Sequence, residues 1–128
     1  GDLVQANFYN CIIYGNNNVE LFFDKYEDAV FNYDFKYNLI KFNDSGTTIA
    51  NNKDYDFIRN QEEGNIKNKN PNFFDINNNQ LNIDDTSGAF QKGSAIYLVP
   101  TDVNGNLRTS NPPDMGAYQS AAFPEKAN

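Results

Sequence analysis

The chain has 128 residues, with 10 Lys+Arg against 17 Asp+Glu, a formal charge of -7 and a pI near 4.3. Such a field repels phosphate backbones and anionic membrane surfaces, which argues against nucleic-acid binding by Lys/Arg neutralisation, and the length suits one domain. The absence of histidine removes imidazole general bases, Ser-His and Cys-His pairs and His-ligated zinc, and a single cysteine, Cys11, leaves no internal disulfide.

Ile, Leu, Val and Phe supply 31 residues, enough for a small core, and 11 Phe with 8 Tyr carry much of its apolar area. Asparagine is the outlier at 23 residues. It is a poor helix former and strand former, but it tolerates left-handed backbone and bonds its own main chain in turns, so the sequence predicts many turns and few helices. No apolar run approaches the ~20 residues that span a bilayer, so membrane insertion is not expected, and no signal-peptide core is present. The first residue is Gly1, which suggests a piece of a longer parent chain.

Residues 7–14 are β-branched and aromatic and end at Gly15-Asn16-Asn17-Asn18, a strong turn. Residues 19–23 read as a second short strand. Residues 29–42 alternate loosely, which puts Phe31, Tyr33, Phe35 and Tyr37 on one side of an extended chain. From 43 to 70 the composition turns polar, a long excursion with one strand expected at 55–58. Residues 73–76 and 80–83 read as short strands flanking Asn77-Asn78-Asn79, and 84–93 as a single helical turn.

Self-similarity is the strongest signal. Placing residue 8 over residue 35 aligns Phe8-Tyr9-Asn10-Cys11-Ile12-Ile13 with Phe35-Lys36-Tyr37-Asn38-Leu39-Ile40. A stacked β architecture explains the match, because each turn of chain cannot bury its apolar face alone and shares a core with its neighbour. It predicts Phe8 over Phe35 and Ile13 over Ile40, with Phe8, Cys11 and Ile13 inward and a bend near Asn10.

The C-terminal half carries an ordered set of motifs: Asn70-Pro71-Asn72-Phe73-Phe74-Asp75, Gln80-Leu81-Asn82-Ile83, Ser87-Gly88-Ala89-Phe90-Gln91-Lys92-Gly93, Asp102-Val103-Asn104-Gly105-Asn106-Leu107-Arg108 and Pro113-Asp114-Met115-Gly116-Ala117-Tyr118. Together they resemble the closing segment of bacterial right-handed parallel β-helix proteins of the pectate-lyase-like group, whose chains often end in D-x-x-G-x-x-R … P-D-I-G-A-Y-E. Asn10-Cys11-Ile12-Ile13-Tyr14-Gly15-Asn16 looks like a preceding coil. This chain departs from the pattern at Ser87-Gly88-Ala89-Phe90, where a Ser-Pro-Ala-Ile-like turn is usual, and at Gln119, where an acid is common. The resemblance implies an all-β fold: a short right-handed parallel β-helix of about three to four coils with an irregular C-terminal cap. A β-sandwich of carbohydrate-binding type is the alternative. One domain is expected over 1–128, with coils in 1–83 interrupted at 43–70 and a capping tail in 84–128.

Asp102-Val103-Asn104-Gly105-Asn106 invites a calcium reading, but its Gly sits fourth and residue 113, where a bidentate Glu belongs, is Pro. A tight turn is the reading, with Arg108 expected to reach Asp102 or Asp114. Asp102, Gly105, Arg108, Asp114, Gly116 and Tyr118 form the structural tail motif, and residues 113–118 are expected as a last strand on the core, sealing an open end. The carboxylate pairs Asp54/Asp56, Glu62/Glu63 and Asp84/Asp85 read as solvated surface rather than a glycosidase couple. Tyr9, Tyr14, Tyr33 and Tyr37 are the candidate outward rings for stacking on a glycan, and Cys11 reads as a small buried hydrophobe. No catalytic residue, cofactor or metal is expected. The implied function is a non-catalytic structural or adhesive terminal module of a secreted or cell-surface bacterial protein, with a polysaccharide or glycan as partner. The alternatives are the terminal part of a polysaccharide lyase or hydrolase whose active site lies upstream, and an autonomous carbohydrate-binding domain.

Overall fold

In a computed structural model the described residues are 1–109 and 111–125; residue 110 and residues 126–128 of the expected tail lie outside them. The fold is β-rich. Its strands are β1 (Asn7–Tyr9), β2 (Ile12–Ile13), β3 (Asp34–Lys36), β4 (Leu39–Ile40) and β5 (Ile66–Lys67); two-residue bends join β1 to β2 and β3 to β4, and long irregular connections join β2 to β3 and β4 to β5. Every pairing between them is parallel: β1 with β3, and β2 with β4 with β5. Phe8 pairs with Phe35, Ile13 with Ile40 and Leu39 with Ile66, so one spacing of 27 residues runs through three successive layers. The antiparallel sheets of a sandwich are not found among the described residues, where antiparallel pairing is confined to the isolated bridges Val19–Phe42, Asp75–Gln80 and Thr101–Leu107.

Two local devices hold this spacing. Asn10, Tyr37 and Gly64, also 27 apart, adopt left-handed backbone with φ of 55°, 57° and 75°; Asn10 and Tyr37 turn the chain between two extended segments, and Gly64 ends a 3-10 turn over Glu62–Gly64 just before β5. Only a residue without a side chain fits at 64, because a Cβ there would lie 2.6 Å from the Tyr37 ring. The next position in each layer is Cys11, Asn38 or Asn65. Asn38 Oδ1 accepts from the Cys11 N–H at 2.9 Å, while its Nδ2 donates to the Phe8 carbonyl at 2.8 Å and to Asn65 Oδ1 at 3.1 Å. Asn65 repeats the device one layer on: its Oδ1 accepts from the Asn38 N–H and its Nδ2 donates to the carbonyls of Phe35 and Glu62. Both side chains are essentially fully buried. They satisfy backbone groups that the bend removes from the strand ladder, which would otherwise be stranded without water.

Successive residues of a strand face opposite ways. Ile40 therefore joins Val19, Phe42, Tyr55 and Ile58 in one buried cluster, while Leu39 joins Ile83, Ala89 and Met115 in another. Both faces of β4 are covered, as parallel strands require. Beside the first cluster Phe8 stacks on Phe35 with ring centroids 4.7 Å apart, and Phe23 touches Phe31, Tyr33, Phe35, Tyr55 and Phe57. Tyr37 does not share the side of Phe31, Tyr33 and Phe35 as the alternation suggested; its left-handed backbone turns it toward the second cluster.

The tail also departs from expectation. Gly88 N–H donates to the Asn70 carbonyl beyond the third layer, Met115 N–H to that of Ala89, and Gly116 N–H to that of Asn10 in the first layer. With Ile12 and Ile66 packed against the Leu39–Met115 cluster, the tail lies along a side of the stack where the sequence suggested an end. Residues 113–118 are buried at Met115 but form no strand; the Met115 N–H bonds to the turn at Ala89 and the Gly116 N–H to Asn10 rather than to a ladder.

Further corrections concern local structure. Residues 53–59 are helical, a 3-10 turn over Lys53–Tyr55 followed by α1 (Asp56–Arg59), not a strand. Asn52 caps the turn by accepting from the Asp54 N–H, and Tyr55 and Ile58, three apart, reach the core together. β5 lies inside the stretch read as a polar excursion. At 19–23 a bridge forms at Val19 in place of a strand, at 73–83 Asp75 pairs with Gln80 and Phe74 N–H donates to the Asn82 carbonyl around a 3-10 turn, and 84–93 makes turns without a helix.

Replacing Asn38 with Ala strips hydrogen bonds from the Cys11 N–H and the Phe8 carbonyl at once. Urea unfolding should show a loss of about 2–4 kcal/mol, while the exposed Asn77→Ala stays within about 0.5 kcal/mol.

Candidate functional site

The four tyrosines singled out for glycan stacking are all half-buried and lie in different surroundings. Tyr33 is enclosed by aromatic neighbours, stacked on Phe23 at 4.5 Å and edge-on to Phe31 and Phe35. Tyr14 lies beneath Lys41 Nζ, 5.4 Å from the ring centroid, the lysine being the residue 27 positions on. Tyr37 rests on Gly64 and approaches Tyr97 at 6.4 Å. Tyr9 stacks on Tyr97 at 4.1 Å and donates its hydroxyl to Asp34 Oδ2 at 2.6 Å. That hydrogen bond, reinforced by burial and by the negative charge of Asp34, pushes the Tyr9 phenol up to about 12. Tyr97 was not singled out from sequence; the signal available was the apolar run Ala95-Ile96-Tyr97-Leu98-Val99.

The tail motif forms two polar knots. Asp102 is buried and its Oδ1 accepts from the N–H groups of Asn104 and Asn106, while Oδ2 accepts from the Gln119 N–H, each at 2.9 Å. Gly105 closes this turn with φ of 82°. Burial alone would raise the Asp102 carboxyl, but the backbone donors of Gln119, Asn106 and Asn104 outweigh it and hold the group below its ordinary value of 3.8. Asp114, also buried, accepts from the Gln91 N–H and the Ser120 N–H at 2.8 Å. Arg108 reaches neither acid; Nη2 donates to the Gly116 carbonyl at 2.9 Å. Backbone N–H groups have taken the carboxylate lone pairs that the sequence assigned to the guanidinium.

Gly116 brings the tail against the first layer. Its φ is 97°, and a Cβ would meet Ile12 Cδ1 at 2.7 Å. Alongside, Asn10 exchanges two hydrogen bonds with Ser94, accepting from its N–H and donating to its carbonyl. Between these contacts lies a half-open cleft of about 510 Å³, bounded by the Tyr9–Ile12 segment on one side and the tail on the other. Tyr9, Arg108, Asp114, Gly116 and Tyr118 line it, whereas Tyr14, Tyr33, Tyr37, Asp102 and Gly105 do not. Its remaining wall is mainly apolar, with Phe73, Ile83, Tyr97, Leu98 and Met115. Cys11 at its edge bonds to the Tyr9 carbonyl, and burial pushes its thiol up, away from the reactive thiolate.

The carboxylate pairs face separate partners: Asp54 pairs with Lys25, Asp56 with Arg59, and Asp84 accepts from Thr86. Among the described residues no group of three His, Cys, Asp or Glu is placed to hold a metal ion, and no helix is long and apolar enough to cross a membrane. Family models, curated proteins and solved structures give no match to this chain.

Two titrations test this geometry. The stability that Asp102 supplies is complete above the unfolded carboxyl value near 3.8 and is lost as pH falls through its lower folded value. Asp102→Asn should lower stability by about 1–3 kcal/mol at pH 7 and flatten that acid limb in urea unfolding measured against pH. For Tyr9, absorbance at 295 nm should show a phenol component titrating near 12, and Asp34→Asn should bring that component back toward 10.0.

Proposed function

We propose that the chain is the closing, non-catalytic module of a longer right-handed parallel β-helix protein of the pectate-lyase-like group, structural or adhesive in role and borne on a secreted or cell-surface bacterial protein. The observation that carries this reading is the single 27-residue spacing shared by paired strands, left-handed bends and buried Asn38 and Asn65. Such a repeat grows by adding layers, and the first layer has room for one: Phe8 stacks on Phe35 yet is 39% exposed. A preceding coil would cover it. The tail, fastened along the side from Asn70 to Asn10, gives the stack its lateral closure.

An autonomous sugar-binding role is the weaker reading. Stacking on a pyranose needs a free ring face and nearby hydroxyl partners, but the Tyr33 ring is enclosed by Phe23, Phe31 and Phe35 and the Tyr9 hydroxyl is held by Asp34. A lyase reading needs its active residues in coils upstream, because Asp54 and Asp56 are paired with cations and Asp84, Asp102 and Asp114 accept from backbone N–H groups.

The complete reading frame tests the proposal. Upstream coils carrying a Phe, a left-handed bend and an Ile/Leu pair at similar spacing are the expected result, and a product that starts near Gly1 would reject it. The isolated protein should release no unsaturated ends from polygalacturonate or glycosaminoglycans and stay silent on a glycan array. Cleavage would convert the module to an enzyme, and selective glycan retention would favour the sugar-binding domain.

A further inference from the structure

The cleft between the tail and the first layer has a chemistry of its own. At about 510 Å³ it is the size of a site for a small ligand. Its polar side chains are largely committed internally. The Tyr9 hydroxyl donates to Asp34, the Asn10 amide exchanges bonds with Ser94, the Cys11 thiol bonds the Tyr9 carbonyl, and each Asp114 oxygen accepts a backbone N–H. A hydroxyl-rich ligand would find few partners and would lose its own hydration. Arg108 is different. Among the described residues its guanidinium makes one hydrogen bond, to the Gly116 carbonyl, and it stands half-buried against an apolar wall. Most of its five N–H donors remain for an anion.

We propose that this cleft binds a small amphipathic carboxylate, an apolar ring or acyl body that lies against Tyr97, Phe73 and Leu98 while its carboxylate meets Arg108. The Arg108 fork suits the planar geometry of a carboxylate, and the low-polarity wall strengthens the ion pair by shielding it from water. Asp114 does not occupy the Arg108 fork: its two oxygens accept from the Gln91 and Ser120 N–H groups and the residue is 2% exposed. The same backbone hydrogen bond that holds Arg108 to Gly116 keeps the guanidinium at the cleft wall before any ligand arrives.

The test is a chemical-shift titration of the full chain with 2-naphthoate and, separately, with its uncharged counterpart 2-naphthamide. The expected result is saturable shifts at the amides of residues 9–12 and 116–118, with the carboxylate bound about tenfold or more tightly than the amide. Arg108→Gln should bring 2-naphthoate down to the 2-naphthamide level, Arg108→Lys should recover part of the difference, and Tyr97→Ala should weaken both probes alike. Equal affinity for the two probes, shifts gathered at other surfaces such as exposed Ile96 and Leu107, no saturable shift, or undiminished naphthoate binding by Arg108→Gln each overturns the proposal. Should Arg108→Gln release the tail, seen as loss of the native Gly116 amide signal, the comparison of the two probes on the unaltered chain decides. A digalacturonide that shifts the same amides at lower concentration than 2-naphthoate also overturns it, in favour of a sugar site.

Discussion

Each layer of this fold depends on solving one problem: turning the chain sharply into a short strand of the three-stranded parallel sheet without stranding backbone hydrogen-bonding groups. The bend is made by a left-handed residue at 10, 37 and 64, and its backbone groups are recovered by Asn38 and Asn65 reaching across layers. A buried amide that donates and accepts suits this position because a bend leaves both a carbonyl and an N–H to be met. Cys11 occupies the corresponding place in the first layer, where its thiol bonds the Tyr9 carbonyl and its N–H is served by Asn38. The register of Phe8 on Phe35 and of Ile12, Leu39 and Ile66 follows from these anchors, since sliding one layer by a single residue would turn its apolar side chains to the opposite face.

Fixed register places apolar columns on both faces of the short strands, and both must be covered. One face is met by Val19, Phe42, Tyr55 and Ile58, the last two delivered by the helical turn at 53–59 that Arg59 braces against Asp44 and Asp56. The other is met by Ile83, Ala89 and Met115 from the tail. Burying side chains of this size is worth about 1.5–3 kcal/mol each, comparable with the buried amide bonds, so register and coverage support one another. The cleft follows from the same geometry: the tail is drawn against Ile12 at Gly116 and against Asn10 at Gly93, leaving a recess between these fastenings.

Much of this was legible. The 27-residue offset, the Phe8/Phe35 and Ile13/Ile40 pairs and the bend near Asn10 are visible in two hexapeptides because large apolar residues at buried positions repeat. The third layer was hidden since only Asn65-Ile66-Lys67 represents it, and Ile66 is a single apolar residue within a polar stretch. Yet the Asn at 65, 27 after Asn38, and the Gly at 64, 27 after Tyr37, were signals of that layer. The helical turn was misread because Tyr55-Asp56-Phe57-Ile58 fits both periods over so short a span, and only the Asn52 cap and the core decide between them.

The site was less legible than the fold. Tail residues such as Asp102, Asp114 and Gly116 were recognisable from their order, but their partners were not, because backbone N–H groups from Gln91, Asn106, Gln119 and Ser120 carry no signal in composition or spacing. The tyrosines were separated by tertiary packing: alternation says which side of a strand a ring takes, while the left-handed residue at 37 and the neighbours Phe23 and Tyr97 decide whether it faces core or cleft.

The account is tested most directly by nuclear Overhauser contacts in the uniformly labelled protein, recorded together with solvent exchange of the asparagine side-chain amides. It predicts cross-strand contacts linking Ile12 to Leu39 and Leu39 to Ile66 in one parallel ladder, ring contacts between Phe8 and Phe35, and slowly exchanging Asn38 and Asn65 amide protons. Contacts with antiparallel connectivity among these strands, or Asn38 and Asn65 amides that exchange at the rate of exposed asparagines, would contradict it.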